Sequence, residues 1–225
     1  MTRSEVERYA DQLIGAKYAT SSINTYLAAA KALCLACGAE WPADRMHLGL
    51  PAAESGGPVV QYGLLGSVIM GLKAGPALPR ALVALSSIYG LRAGELQSVL
   101  AAGHTGNELV IQTEKRGRKR VHRIPDMLVS TLTFRPTQLT RDQINRWYAR
   151  VLRIVHAKPA PRESWHAVRR GLVTGLLSNE AAEADVARWM GWKATNIMRV
   201  YYQPDTFELD KRIYERHPFL GYWRL

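Results

Sequence analysis

The chain has 225 residues, 47% of them apolar, and its 30 Lys and Arg against 19 Asp and Glu give it a formal charge of +11. That length and apolar share fit one large domain, or one domain with a small appendage, and exclude the disordered class. Two cysteines exclude a disulfide framework, and so basic a balance points to a polyanion, nucleic acid ahead of an anionic membrane surface.

In chain order, Ser4 to about Gly38 reads as two helices. Val6, Tyr9, Ala10 and Leu13 fall at helical spacing in the first. Cap-type residues Ser21, Ser22 and Asn24 precede the apolar positions of the second. Thr2-Arg3-Ser4-Glu5 opens with no apolar leader, so the expectation is a cytoplasmic, nucleoid-associated protein. Cys34 and Cys37 form a lone C-x-x-C, expected to pack on the helix rather than to bind metal.

Residues 1–48 are thus expected to be a short helical segment. Residues 49–58, with Pro51 and Ser55-Gly56-Gly57-Pro58, read as a linker, and 59–225 as the main domain. Helices are predicted near 60–73, 77–89 (closed by Gly90) and 91–100. Two strand-like runs follow, Asn107–Thr113 and Arg120–Ile124, joined by a turn over Lys115–Lys119. The pattern Thr140-Arg141-Asp142-Gln143 is a capping box. It opens a helix predicted to bury Ile144, Trp147, Val151 and Ile154 together. Further helices are expected near 164–177, 182–190, 195–202 and 207–216, ahead of an apolar tail, Pro218–Leu225. The fold class is mainly α with one small antiparallel sheet. No stretch is a good membrane span, and no membrane partner is expected.

The hairpin concentrates charge. Lys115, Arg116, Arg118, Lys119, Arg120 and Arg123 lie within nine residues. Like charges so close repel one another, and phosphates beside them would relieve that repulsion through counterion release. Arg116, Arg118, Lys119, Arg120 and Arg123 are the expected DNA contacts, with Arg170 expected as a DNA-backbone contact or a structural residue. Three short strings carry the candidate chemistry: Gly90-Leu91-Arg92-Ala93-Gly94-Glu95-Leu96, Trp165-His166-Ala167-Val168-Arg169-Arg170, and Gly191-Trp192 followed nine residues on by Tyr201. Singly, each is weak and reads better as structure: Arg92 with Glu95 as a helix ion pair, His166 with Arg169 as one lined helix face.

Together and in this order, over residues 58–205, the strings resemble the tyrosine recombinases, the phage-integrase family of site-specific DNA recombinases. The matching positions are Arg92, Lys115, His166, Arg169, Trp192 and Tyr201. The resemblance implies a recombinase catalytic domain behind a partial core-binding segment. It implies a reaction that cleaves and rejoins DNA strands through a 3′-phosphotyrosyl link, with neither metal nor ATP and so no cofactor. Double-stranded DNA is the implied partner, and a tetramer on DNA the implied assembly. Guanidinium forks at 92 and 169 suit a phosphate that gains charge under attack. Tyr201 would be the nucleophile, with Tyr202 its competitor; the two point about 100° apart on a helix. Lys115 would protonate the leaving oxygen, with Lys119 its competitor. His166 would share the tyrosine proton, Trp192 would donate its indole N–H, and Glu95 would orient the cluster from behind. Two departures stand out: Arg170 occupies a place where the family often has a second histidine, and few residues precede the linker.

The same constellation admits a type IB topoisomerase-like or telomere-resolving enzyme. A non-catalytic DNA-binding protein on the same fold is the reading from another class. The tail, with Phe219, Leu220, Tyr222 and Trp223, is expected either to dock on a neighbouring protomer or to pack on its own domain.

Overall fold

The computed structural model describes residues 2–42, 58–113, 119–192 and 206–223. They fall in two compact units, Met1–Gly56 and Gly57–Leu225.

In the first unit, α1 (Arg3–Gly15) starts where Thr2 accepts the Glu5 N–H and the Glu5 carboxylate accepts the Thr2 N–H at 2.5 Å, a reciprocal capping box. α2 (Thr20–Ala36) packs on it through a small core of Val6, Ala10, Leu13, Ile23 and Leu27. Cys34 is buried and its thiol donates to the Glu40 carbonyl at 3.2 Å, whereas Cys37 is exposed.

The second unit is helical around one hairpin. α3 (Tyr62–Leu72) and α4 (Ala77–Tyr89) precede α5 (Ala93–Ala102). Then come β1 (Glu108–Gln112) and β2 (Lys119–Arg123), α6 (Asp126–Leu132), α7 (Arg141–Leu152), α8 (Trp165–Ser178), α9 (Glu183–Trp189) and α10 (Thr206–Glu215). The strands pair antiparallel, with Leu109 opposite His122 and Ile111 opposite Arg120. Gly90 closes α4 at φ +61°, where a Cβ would meet the Met190 Cε at 2.8 Å. That turn points the chain into Leu91-Arg92 and the start of α5.

Two elements differ from the sequence expectation, and of the two placements left open for the tail the structure takes one. α6 follows Pro125, where no helix is predicted; the proline sits at its N-cap. α7 tightens into a 3₁₀ turn at Arg153–Val155, which leaves Ile154 39% exposed and buries Tyr148 and Leu152 instead. The tail packs on its own unit. Phe219 and Trp223 are buried, and the Tyr222 ring lies against Gly66, where a Cβ would sit 2.6 Å from it. The predicted helix over 195–202 lies outside the described residues.

His217 anchors the tail. Its Nδ1 accepts the Phe219 and Leu220 N–H groups at 3.2 and 3.1 Å, so Nε2 carries the hydrogen and donates to the Ile88 carbonyl at 3.0 Å. Burial pushes its pKa from 6.5 down to about 4. The folded chain therefore binds fewer protons than the unfolded chain between those values, so His217 favours the fold above pH 6.5 and loses that contribution as pH falls towards 4. Buried His122 acts in the same direction. Urea denaturation across pH 4–7 should show stability falling with acid, with about 3 kcal/mol of the fall removed in His217→Gln. Equal pH slopes in the variant and the parent would contradict this account of the anchor.

Candidate active site

The site begins with Glu95, whose side chain is fully buried one turn into α5. Its Oε2 accepts the Arg92 backbone N–H at 2.9 Å, satisfying a donor at the helix start, and its Oε1 accepts Arg92 Nη1 at 2.9 Å. Arg120 Nη2 lies 3.6 Å and Arg169 Nη1 3.8 Å from Oε2. Three guanidiniums, from the N-cap of α5, from β2 and from α8, thus surround one carboxylate.

The two inner arginines are held by backbone. Arg169 donates to the carbonyls of Gly90 and Met190, the latter at 3.2 Å. Arg120 donates to the carbonyls one residue earlier on each side, Tyr89 at 3.2 Å and Trp189 at 2.5 Å. Those carbonyls end α4 and α9, where the helix dipole favours a cation. Burial lowers the pKa of Arg169 to about 9 and that of Arg120 to about 10, opposed in each by Glu95. Both stay cationic at neutral pH, so the cluster holds two positive charges more than Glu95 balances. Arg92 faces outward with its side chain 27% exposed.

His166 and Trp192 flank the cluster. His166 is exposed on the first turn of α8, three residues before Arg169, and its N–H reaches the Ser164 hydroxyl that caps the helix. Trp192 follows the left-handed Gly191, is 43% exposed, and lies with its ring 5.8 Å from the Arg169 guanidinium carbon. Lys119 and Arg123 are exposed on β2. Arg170 donates to the Pro58 carbonyl at 3.2 Å. Lys115, Arg116, Arg118, Tyr201 and Tyr202 lie outside the described residues.

Arg120 corrects the expectation that it belongs to a row of surface DNA contacts, because it is only 5% exposed. The physical reason is strand register: Arg120 pairs with Ile111 and shares the inward face with Leu109 and His122, leaving Lys119, Val121 and Arg123 outside. The alternation Lys-Arg-Val-His-Arg carries that signal, once the strand is phased by Ile111 rather than by its own charges. Sequence reasoning also passed over Asp210, whose carboxylate accepts the Arg123 N–H at 2.6 Å and faces His122 at 3.4 Å. It likewise passed over the ring cluster of Tyr89, His122, Trp189 and Tyr214 beneath the site.

No family model and no curated protein matches the sequence. Among solved structures the chain is similar to an integrase from mycobacterium phage Brujita, at 13% identity and a TM-score of 0.56, over 96% of this chain and 93% of that one. It is also similar to a lambda integrase dimer bound to a COC' core site, at 16% identity and a TM-score of 0.54, over 88% of this chain and 83% of that one. These likenesses establish the fold: a mainly helical integrase-type architecture with a small antiparallel sheet.

Glu95→Gln removes the one carboxylate within 4 Å of these guanidiniums among the described residues. It should cost about 3–5 kcal/mol in urea denaturation, the range for a buried charge stripped of its partner. Inorganic phosphate should recover more of that loss in the variant than it adds to the parent. Stability unchanged by the substitution would show that charge does not organise the cluster.

Proposed function

We propose that the chain is a site-specific DNA recombinase of the tyrosine type, which cleaves and rejoins DNA strands through a 3′-phosphotyrosyl link without metal or ATP. The observation that carries this reading is the excess positive charge built around Glu95, half open at Arg92 and closed behind by Arg169 and Arg120. A buried surplus of guanidinium calls for an anion, and a planar fork matches phosphate oxygens. Charge distribution agrees: residues 57–225 hold 25 of the 30 Lys and Arg and 13 of the 19 Asp and Glu. The likeness to an integrase bound to its core site supports duplex DNA as the partner. Residues 59–225 are the catalytic domain in this reading. Arg116, Arg118, Lys119, Arg123 and Arg170 hold the DNA backbone, and the working form is a tetramer on DNA in the cytoplasm.

The chemistry is one displacement and its reverse. The Tyr201 oxygen attacks the scissile phosphorus and forms the O–P bond, while the bond from phosphorus to the 5′-oxygen breaks. The phenolic proton passes to His166, and the departing 5′-oxygen takes a proton from Lys115. Arg92 donates to a non-bridging oxygen as charge develops there. Arg169 adds positive potential from inside, where a low dielectric strengthens it. Trp192 donates its indole N–H to the same phosphate and rests its ring on Arg169. The phenolate is a good leaving group, so a free 5′-hydroxyl reverses the step and rejoins the strand with the phosphodiester energy retained.

A pool of nicked duplexes with randomised sequence around the nick tests this reading, with covalent adducts isolated under denaturing conditions. The parent chain should form adducts. Tyr201→Phe should form none while still retarding the same duplexes in a gel, and Tyr202→Phe should keep the adduct. Arg92→Ala should slow adduct formation about 10²–10³-fold. Adducts that persist in Tyr201→Phe would overturn the nucleophile, and a parent chain that binds DNA yet never forms an adduct would overturn the enzyme.

A further inference from the structure

Strand β2 does more than display cations. Its inward side chain Arg120 donates to the Trp189 carbonyl at the last residue of α9. Gly191 packs so closely on that side chain that a Cβ there would sit 3.0 Å from the Arg120 Cδ. Two residues along, the His122 ring lies 4.2 Å from the Trp189 ring, centre to centre. At the end of the strand, the Arg123 N–H donates to Asp210 on α10 at 2.6 Å, and the Arg123 carbonyl accepts the Tyr214 hydroxyl of the same helix at 2.7 Å. α9 and α10 are the helices on either side of residues 193–205, and those residues include Tyr201. One short strand, joined to β1 through a stretch of sequence that includes Lys115, therefore grips the helices that precede and follow the tyrosine in sequence.

We propose that β2 is a clamp that couples the hairpin to both helices flanking residues 193–205, with Arg120 and Asp210 as its two positioning residues. The inference rests on the reading of Lys115 as proton donor and Tyr201 as nucleophile. Neither positioning residue touches the reacting atoms. Each acts through a main-chain group, Arg120 on a carbonyl of α9 and Asp210 on an N–H of β2. Arg120 also faces Glu95, so the clamp and the guanidinium cluster are one body. Two Arg120 nitrogens, Nε and Nη2, have no hydrogen-bond partner among the described residues. A side chain kept there for stability alone would be expected to satisfy them or to be apolar. A guanidinium with spare donors suits a residue kept for where it holds the neighbouring main chain.

The test uses the full chain and a duplex recovered from the adduct pool. Without DNA, Arg120→Met should speed amide exchange in β1, β2 and at Trp192 tenfold or more while leaving α7 unchanged. With DNA, single-turnover adduct formation should slow at least tenfold with the Kd held within twofold, and Asp210→Ala should do the same. In a Lys115→Met background, adding Arg120→Met should cost less than twofold more, because the group it positions is already gone. If Arg120→Met does not fold, Arg120→Lys, which keeps the charge on a shorter side chain without the guanidinium fork, is read by the same measurements. Unchanged exchange in the hairpin, a weakened Kd at an unchanged rate, or losses that multiply in the double variant would each overturn the clamp. A parent chain that forms no adduct defeats the proposed function instead, and the exchange measurement then decides the clamp alone.

Discussion

A single buried carboxylate organises this molecule's candidate chemistry. Glu95 could not sit without charge partners in the interior, and three guanidiniums could not be gathered there without it. Each arginine solves its desolvation differently. Arg92 stays half open. Arg169 and Arg120 lie against the carbonyl ends of α4 and α9, taking Gly90 and Met190 in one case and Tyr89 and Trp189 in the other. Two helix C-termini thus meet two cations side by side, where their dipoles favour positive charge. The left-handed turn at Gly90 matters because it delivers the α4 carbonyls and the start of α5 to the same place.

Charge balance in this arrangement is what supports the proposed function. The cluster retains a surplus that no described side chain cancels, and burial presses on it, as the lowered pKa values of Arg120 and Arg169 record. A phosphate placed at Arg92 would relieve that pressure without disturbing Glu95. The tail contributes from the other side. Through His217 it fastens to the Ile88 carbonyl, just before Tyr89 and Gly90, so the helix end that holds both inner arginines is also fastened by the chain's last turn.

Much of this was legible in the residues. The Gly-Leu-Arg-x-x-Glu string places Arg92 and Glu95 at a helix start, and capping chemistry alone draws them together. The three-residue step from His166 to Arg169 puts both on one face of α8, and the alternation in β1 marks its buried side. What was hidden depends on the third dimension. Arg120 reads as one more surface cation until Ile111 fixes its register. Asp210 has no neighbour in sequence that hints at the strand it holds. Ile154 follows the helical period of α7 and is turned outward by a 3₁₀ turn that periodicity does not announce. The apolar tail reads equally well as docking on a neighbour or on itself, because apolar composition names no partner. Its packing is decided by Gly66, Gly175 and the carbonyl of Ile88.

The most direct measurement is a crystal structure of the chain on a nicked duplex. The account predicts one backbone phosphate with an oxygen about 3 Å from the Arg92 guanidinium, with Glu95, Arg120 and Arg169 arranged behind it as they are here. Phosphates bound along another face, with the cluster around Glu95 empty or filled by a protein carboxylate, would contradict it.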